Sequence, residues 1–246
     1  MNDLNAFTGL VRRCVEDYDM IAPGDTVAVG VSGGKDSLVL LMALNELRRY
    51  YPKPFALEAI TVELGFDGMV FTPVAELCDT LGVPYTRLKT DIKEVVFDVR
   101  KEPNPCSLCA RLRRGALHDA AKAAGCNKVA LGHHYDDAVE TFVMNLFNEG
   151  RIGCFSPKSY LSRKDLTMIR PMVFAPEKEV RRAAVRAQLP VVKSVCPADG
   201  NTSREKTKAF LAQREREDHG FTYRLFGAMR RAGIDGWGYP DKEDVG

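Results

Sequence analysis

Three groups of residues in this chain have types and spacings suited to chemistry. The first is Ser32-Gly33-Gly34-Lys35-Asp36-Ser37. Val27, Val29 and Val31 alternate ahead of it as a buried strand, and Leu38, Leu41 and Met42 follow at helical spacing. A glycine-rich turn between strand and helix aims free backbone N–H groups and the positive end of the helix at an anion. Gly33 and Gly34 allow the backbone to approach a phosphate with no Cβ in the way, Ser32 and Ser37 add hydroxyl donors, and Lys35 adds a point charge. The spacing is not that of a Walker loop, because Lys35 stands where the second glycine should be, and the three-glycine dinucleotide fingerprint is absent.

The second group is Gly132-His133-His134-Tyr135-Asp136-Asp137, followed by Glu140 and Thr141. Carboxylates at a helix start are often only caps. Facing a phosphate loop, they can instead hold Mg²⁺ or steer a substrate. The third group is Cys106-Ser-Leu-Cys109 with Arg111, Arg113 and Arg114. Cys-x-x-Cys alone admits zinc, dithiol redox chemistry or an iron–sulfur cluster. A closed zinc site needs four ligands, and no second Cys-x-x-Cys or nearby Cys-His pair exists; a thioredoxin-like motif would follow the first strand. Cys196, beside Pro197 and before Gly200, is a third thiol, and three cysteines can hold a [4Fe–4S] cluster with one iron open to sulfur. Cys14, Cys78 and Cys126 read as core; Cys154 stays open.

These groups sit on alternating elements. An amphipathic helix over 4–20 ends near Pro23-Gly24-Asp25. After the central strand, a helix runs to about Arg49, a strand spans Phe55–Val62, a helix Thr72–Leu81 and a short strand Tyr85–Leu88. Pro103 and Pro105 mark a break before a helix from about Cys106 to Ala124. Lys128–Leu131 is a strand, and the next helix is expected to bury Val139, Phe142, Val143, Leu146 and Phe147. The alternation predicts an α/β fold, a parallel sheet with helices on both faces. Ligands then sit beyond the carboxyl ends of the strands, which brings Ser32–Ser37, Glu63–Leu64 and Gly132–Asp137 to one rim. Residues 1–200 read as the catalytic domain and 201–246 as a helical tail, in the same globule or as a small appendage.

A hydrophobic content of 45% supplies a full core for 246 residues, while a net charge of +2 is too small to argue for nucleic acid by itself. Seven cysteines, an odd number, do not read as a secreted disulfide framework. There is no apolar run of membrane length and no signal-peptide pattern at the N-terminus, so a cytoplasmic location is expected. The stretches Arg48-Arg49, Arg181/Arg182/Arg186 and Arg204–Arg216 read as solvated helix faces. The arginines beside the cysteines are the best candidates for holding RNA.

Ser-Gly-Gly-Lys-Asp-Ser with Gly-His-His-x-Asp-Asp-x-x-Glu-Thr and Cys-Ser-Leu-Cys-Ala-Arg-Leu-Arg-Arg-Gly resembles the PP-loop ATPases, and among them the tRNA 2-thiocytidine synthetases and their iron–sulfur thiouridine relatives. Ile169-Arg-Pro-Met172 and Glu177-Lys-Glu-Val180 are similar to further segments of that family. The likeness covers roughly residues 20–200. One departure is that Cys196-Pro-Ala-Asp199 stands where the 2-thiocytidine enzymes usually carry a second Cys-x-x-Cys. The resemblance implies ATP and Mg²⁺ on Ser32–Ser37, with Val31, Val62, Gly132 and His133 around the nucleotide. It implies Arg113 at the α-phosphate, Asp137 or Asp136 as the catalytic carboxylate, and Cys106, Cys109 and Cys196 as cluster ligands. The implied reaction adenylates a tRNA base carbonyl, cytidine C2 for the 2-thiocytidine enzymes, and exchanges oxygen for sulfur. The sulfur would come from sulfide or a cysteine desulfurase persulfide, and a homodimer is compatible. A ligase of the lysidine synthetase kind would keep the same loop, use an amino acid nucleophile and need no cysteines; a non-catalytic nucleotide- or cluster-binding module is the other alternative.

Overall fold

The structure is a computed structural model that describes residues 2–101, 105–193, 195–196 and 203–239. Pro103, Pro197–Gly200 and the ends of the 201–246 segment lie outside the described residues. In chain order the elements are α1 (Asn2–Asp17), β1 (Thr26–Gly30), α2 (Lys35–Arg48), β2 (Ala56–Glu63), α3 (Thr72–Leu81), β3 (Tyr85–Lys89), a π-helical stretch (Glu94–Arg100), α4 (Pro105–Ala123) and β4 (Lys128–Ala130). The chain continues with α5 (Tyr135–Asn148), β5 (Lys158–Leu161), β6 (Leu166–Ile169), α6 (Glu177–Arg186), α7 (Ser203–Glu217), α8 (Phe221–Arg231) and a 3₁₀ turn (Ile234–Gly236).

Six strands form one sheet in the order β3-β2-β1-β4-β6-β5. All pair in parallel except β5, which runs antiparallel to β6. The period of two decides which face each residue supplies. Val27 and Val29 pack with Leu38 and Leu41 of α2, whereas Ala28, Ile60 and Val129 pack with Leu117 and Ala121 of α4. Val27, Ala28 and Val29 are all fully buried, as expected of a central parallel strand covered on both faces. The strand order reverses at β1, so the crevice between β1 and β4 opens above the loop that ends in α2.

The β5–β6 hairpin is an element that the sequence reading did not contain. Each of its strands has four residues, and the edge strand β5 is half exposed, so neither shows a clear apolar pattern. The inward stripe of α5 holds Val139, Phe142 and Val143 as expected, but Leu146 and Phe147 are 38% and 65% exposed. The last turn of α5 runs past the edge of the core, and Phe147 instead meets Phe210 of α7 edge-to-face, centroids 5.8 Å apart. Cys14, Cys78 and Cys126 are buried, and so is Cys154, whose thiol faces the Ala138 carbonyl at 3.4 Å. Trp237 is fully buried; its indole N–H donates to the Phe155 carbonyl at 2.7 Å, which ties the end of the described chain to the wall of the crevice. No described helix is long and apolar enough to cross a membrane.

Candidate active site at the strand carboxyl ends

Gly34 has extended backbone (φ −72°, ψ 155°) at the start of α2 and no side chain caps the helix. The first N–H groups of α2 therefore stay available to an anion. The two serines brace the loop from within. The Ser32 N–H donates to Ser37 Oγ (3.1 Å), the Ser37 hydroxyl donates to the Gly34 carbonyl (2.9 Å), and the Gly34 N–H donates to Ser32 Oγ (3.3 Å). Gly33 has φ +81°, and a Cβ there would lie 2.9 Å from Val192 Cβ, so only glycine fits. The Val192 N–H donates to the Gly33 carbonyl at 2.9 Å, docking the segment that leads to Cys196 onto the loop. Gly132 is tight as well, since a Cβ would lie 3.1 Å from the Asp36 carbonyl, although its backbone is not in the left-handed region.

Lys35 Nζ donates to Asp36 Oδ1 at 2.8 Å and pairs with Glu177 at 3.3 Å. Glu177 also pairs with Lys208 of α7. Burial works to raise the Glu177 carboxyl, but Lys208 and Lys35 outweigh it and hold it down at about 2.

The second motif divides its carboxylates between structure and site. His134 and Asp137 form a reciprocal cap at the start of α5: the His134 N–H donates to Asp137 Oδ2 at 2.9 Å, and the Asp137 N–H to His134 Nδ1 at 3.4 Å. Asp137 Oδ1 accepts from Arg204 Nη1 at 2.9 Å, and the same nitrogen reaches Glu140 at 3.2 Å. Asp136 turns to α6, accepting from the Glu177 N–H at 2.6 Å. Arg204, read from sequence as part of a solvated face, is thus a clamp on the acidic motif; the spacing within its own helix carried no sign of this.

Glu140 is 4% exposed, and burial pushes its carboxyl up to about 7, with Arg204 opposing and Asp137 adding to the rise. A folded pKa above the ordinary carboxylate value means stability that is complete at acid pH and lost as pH rises through about 7. His133 is pushed the other way, to about 4 by burial and Arg170, so it works against Glu140 below its unfolded range. Comparison with Glu140→Gln cancels the histidine. Wild-type stability relative to that variant should fall between pH 5.5 and 8 by about 2 kcal/mol, most of it below pH 7, read by chemical denaturation at each pH. A constant difference would contradict the assignment.

Helix α4 presents Cys106, which is exposed, and Cys109, which is half-buried; Cys196 is half-buried as well. Burial raises the Cys109 thiol pKa, the Arg113 charge opposes the rise, and the neighbouring Cys196 and Cys106 add to it. The three thiols therefore share one electrostatic neighbourhood. Among the described residues, no three His, Cys, Asp or Glu side chains converge closely enough to form a ready metal site.

A cavity of about 640 Å³ joins these parts. Its floor is Val31, Ser32, Gly34, Asp36 and Ser37, one wall carries Val62, Phe66, Met69 and Phe71, and the other Gly132, His133 and Asp137. Arg113 and Cys196 also line it. Gly33, Lys35, Asp136, Cys106 and Cys109 lie outside that lining. The apolar wall suits a nucleobase, and the uncapped helix end suits its phosphates.

Residues 9–214 match the family described as the PP-loop domain. The chain belongs to the PP-loop family. Within it, the chain is 40% identical over 223 residues to the tRNA-cytidine(32) 2-sulfurtransferase of Pelobacter propionicus, covering 88% of this chain and 83% of the relative. It is 38% identical over 211 residues to the enzyme of the same name from Geobacter sulfurreducens, covering 85% and 82%. Among solved structures it is similar to the U34-tRNA thiolase NcsA from Methanococcus maripaludis with its [4Fe-4S] cluster, at a TM-score of 0.75 and 27% identity over 91% of this chain and 77% of that one. Arg114, a candidate RNA contact from sequence, also lines the PP-loop cavity, as do Phe155 and Arg170, whose place there the sequence did not indicate.

Proposed function

We infer that the protein is an ATP-dependent tRNA sulfurtransferase acting at C2 of cytidine 32. One observation carries this reading: a single cavity is lined by the phosphate loop, by Arg113 and by the Cys196 thiol. Activation and sulfur delivery then share one space. The loop N–H groups and Lys35 take the pyrophosphate, with Mg²⁺ near Asp36, and the apolar wall around Val62 and Phe71 takes the adenine. The C2 oxygen of the base attacks the α-phosphorus, pyrophosphate leaves, and the poor leaving group becomes an AMP ester. Sulfur at the oxidation level of sulfide then adds to C2, and AMP departs with the oxygen. Arg113 stabilises the charge that develops at the α-phosphate. Asp137, held by the His134 cap and Arg204, orients the base, and Asp136 secures the neighbouring start of α6. Arg111 and Arg114 hold the tRNA backbone.

Cysteine sulfur, deprotonated when it binds metal, is the right soft donor for iron–sulfur ligation. When bound by Cys106, Cys109 and Cys196, a [4Fe–4S] cluster would carry the transferred sulfur on the iron those thiolates leave open. The sulfur comes from sulfide, or from a cysteine desulfurase persulfide whose outer sulfur a thiol reductant first releases as sulfide, the two electrons coming from oxidation of that thiol to a disulfide. Product analysis tests the activation step: unmodified tRNA should stimulate conversion of ATP to AMP and pyrophosphate. Release of ADP and phosphate would contradict it.

A further inference from the structure

Arg170 ends the β6 edge of the cavity and is 6% exposed. Its guanidinium lies 4.8 Å from the centre of the Phe155 ring. Nη1 donates to the Ser156 carbonyl, Nη2 reaches only the Met168 sulfur at 3.7 Å, and Nε is buried with no partner. The charged neighbour that matters most is Arg114, which repels it, and burial with that repulsion brings the guanidinium down to about 10. A buried arginine in a protein normally faces a carboxylate. Among the described residues this one has no ion-pair partner, and it lines a cavity. Beside it, His133 Nδ1 is also buried and without a partner, with its ring 4.9 Å from Phe155.

The sheet register places this charge. Val29 pairs with Ala130, and Ala130 with Ile169, so the next residues along the three strands are Gly30, Leu131 and Arg170. Arg170 therefore leaves the sheet two strand spacings, about 10 Å, from the strand that feeds the phosphate loop. That distance is within reach of an extended arginine and a chain of phosphates. We propose that Arg170 is an anion-binding residue of this cavity whose missing counter-charge is a phosphoryl oxygen. It comes from the nucleotide or from the tRNA backbone beside the target base. This rests on the sulfurtransferase reading, because it takes the cavity as the place where ATP and tRNA meet. Binding the anion would supply the uncompensated guanidinium with the charge it lacks, and Arg114 would face the same anion from α4.

The test uses the full chain with Arg170→Met, which keeps an unbranched apolar stem and removes charge, and Arg170→Lys, which keeps charge. Thermal stability without ligand is measured together with calorimetric binding of ATP, AMP, pyrophosphate and unmodified tRNA. Wild type that binds neither ATP nor tRNA would refute the sulfurtransferase reading itself. With wild-type binding in place, Arg170→Met should melt at or above the wild-type temperature, since an unpaired buried charge has gone. It should also bind its ligand about ten- to a hundredfold more weakly. Weakening of ATP or AMP identifies the nucleotide as the source, weakening of pyrophosphate with ATP but not AMP identifies its outer phosphates, and weakening of tRNA alone identifies the RNA backbone. If all four ligands bind as in wild type, the proposal is overturned and Arg170 only braces the Ser156 turn. If Arg170→Met both melts early and binds weakly, Arg170→Lys separates the cases: restored binding supports the proposal, and unrestored binding overturns it.

Discussion

Alanine at Cys106, Cys109 or Cys196 is expected to bring the iron content of protein purified without oxygen from about four per chain to near zero. Sulfur transfer should fall by about a thousandfold or more, because the lost group acts in the chemical step. ATP binding should stay within about twofold, because none of these side chains belongs to the phosphate loop. The contrast is Cys154→Ala, which should keep its iron. A metal-bound cysteine must give up its proton. Burial pushes the Cys154 thiol up to about 12, and those of Cys78 and Cys126 to about 11, so these three are core. Iron retained by all three single variants would refute the ligand set, whereas iron lost from Cys154→Ala as well would point to failed folding.

Gly33→Ala should weaken ATP binding by about tenfold to a hundredfold, from a left-handed strain of roughly 1–3 kcal/mol added to an overlap that must displace a neighbour. The overlap is with Val192, 2.9 Å from the added Cβ, whose N–H is bonded to the Gly33 carbonyl. Relief of the clash therefore moves the segment that carries Cys196, and the variant should lose iron along with nucleotide. Gly68 separates the two causes, since it has the same φ of +81° with nothing within 4 Å of the added Cβ. Gly68→Ala should lower stability slightly and leave ATP binding and iron unchanged. Nucleotide binding by Gly33→Ala at wild-type strength would show that the loop and the Cys196 segment are not coupled.

What the sequence reveals about this protein is mostly local chemistry. Ser32–Ser37 lies between a β-branched strand and an apolar helix, and those neighbours are enough to predict the loop's place and its anion-binding role. Thr72–Leu81 is legible to the residue because Pro73 opens that helix and Gly82, in left-handed geometry, closes it. The hairpin Lys158–Ile169 is not legible, because four-residue strands at a sheet edge carry too few inward positions to set a period. Leu146 and Phe147 continue the apolar spacing of α5 past the point where the core ends, and spacing alone cannot show where that point is. Arg204 and Arg170 escape for a related reason. Their roles depend on what lies across the fold, Asp137 and Glu140 for one and the Phe155 ring, the Ser156 carbonyl and the cavity for the other. The three thiols can be proposed as a set from sequence, but their common neighbourhood becomes visible only when α4 and the Cys196 segment are seen over the same loop.

The most direct measurement is nucleoside mass spectrometry of unmodified tRNA after incubation, without oxygen, with iron-loaded protein, ATP, Mg²⁺ and sulfide, alongside a count of the AMP released. The expected result is 2-thiocytidine at position 32, with one AMP released for each sulfur inserted. AMP release with no thionucleoside, or a base carrying an amino acid in place of sulfur, would contradict sulfur transfer and leave a cluster-free PP-loop ligase as the better description.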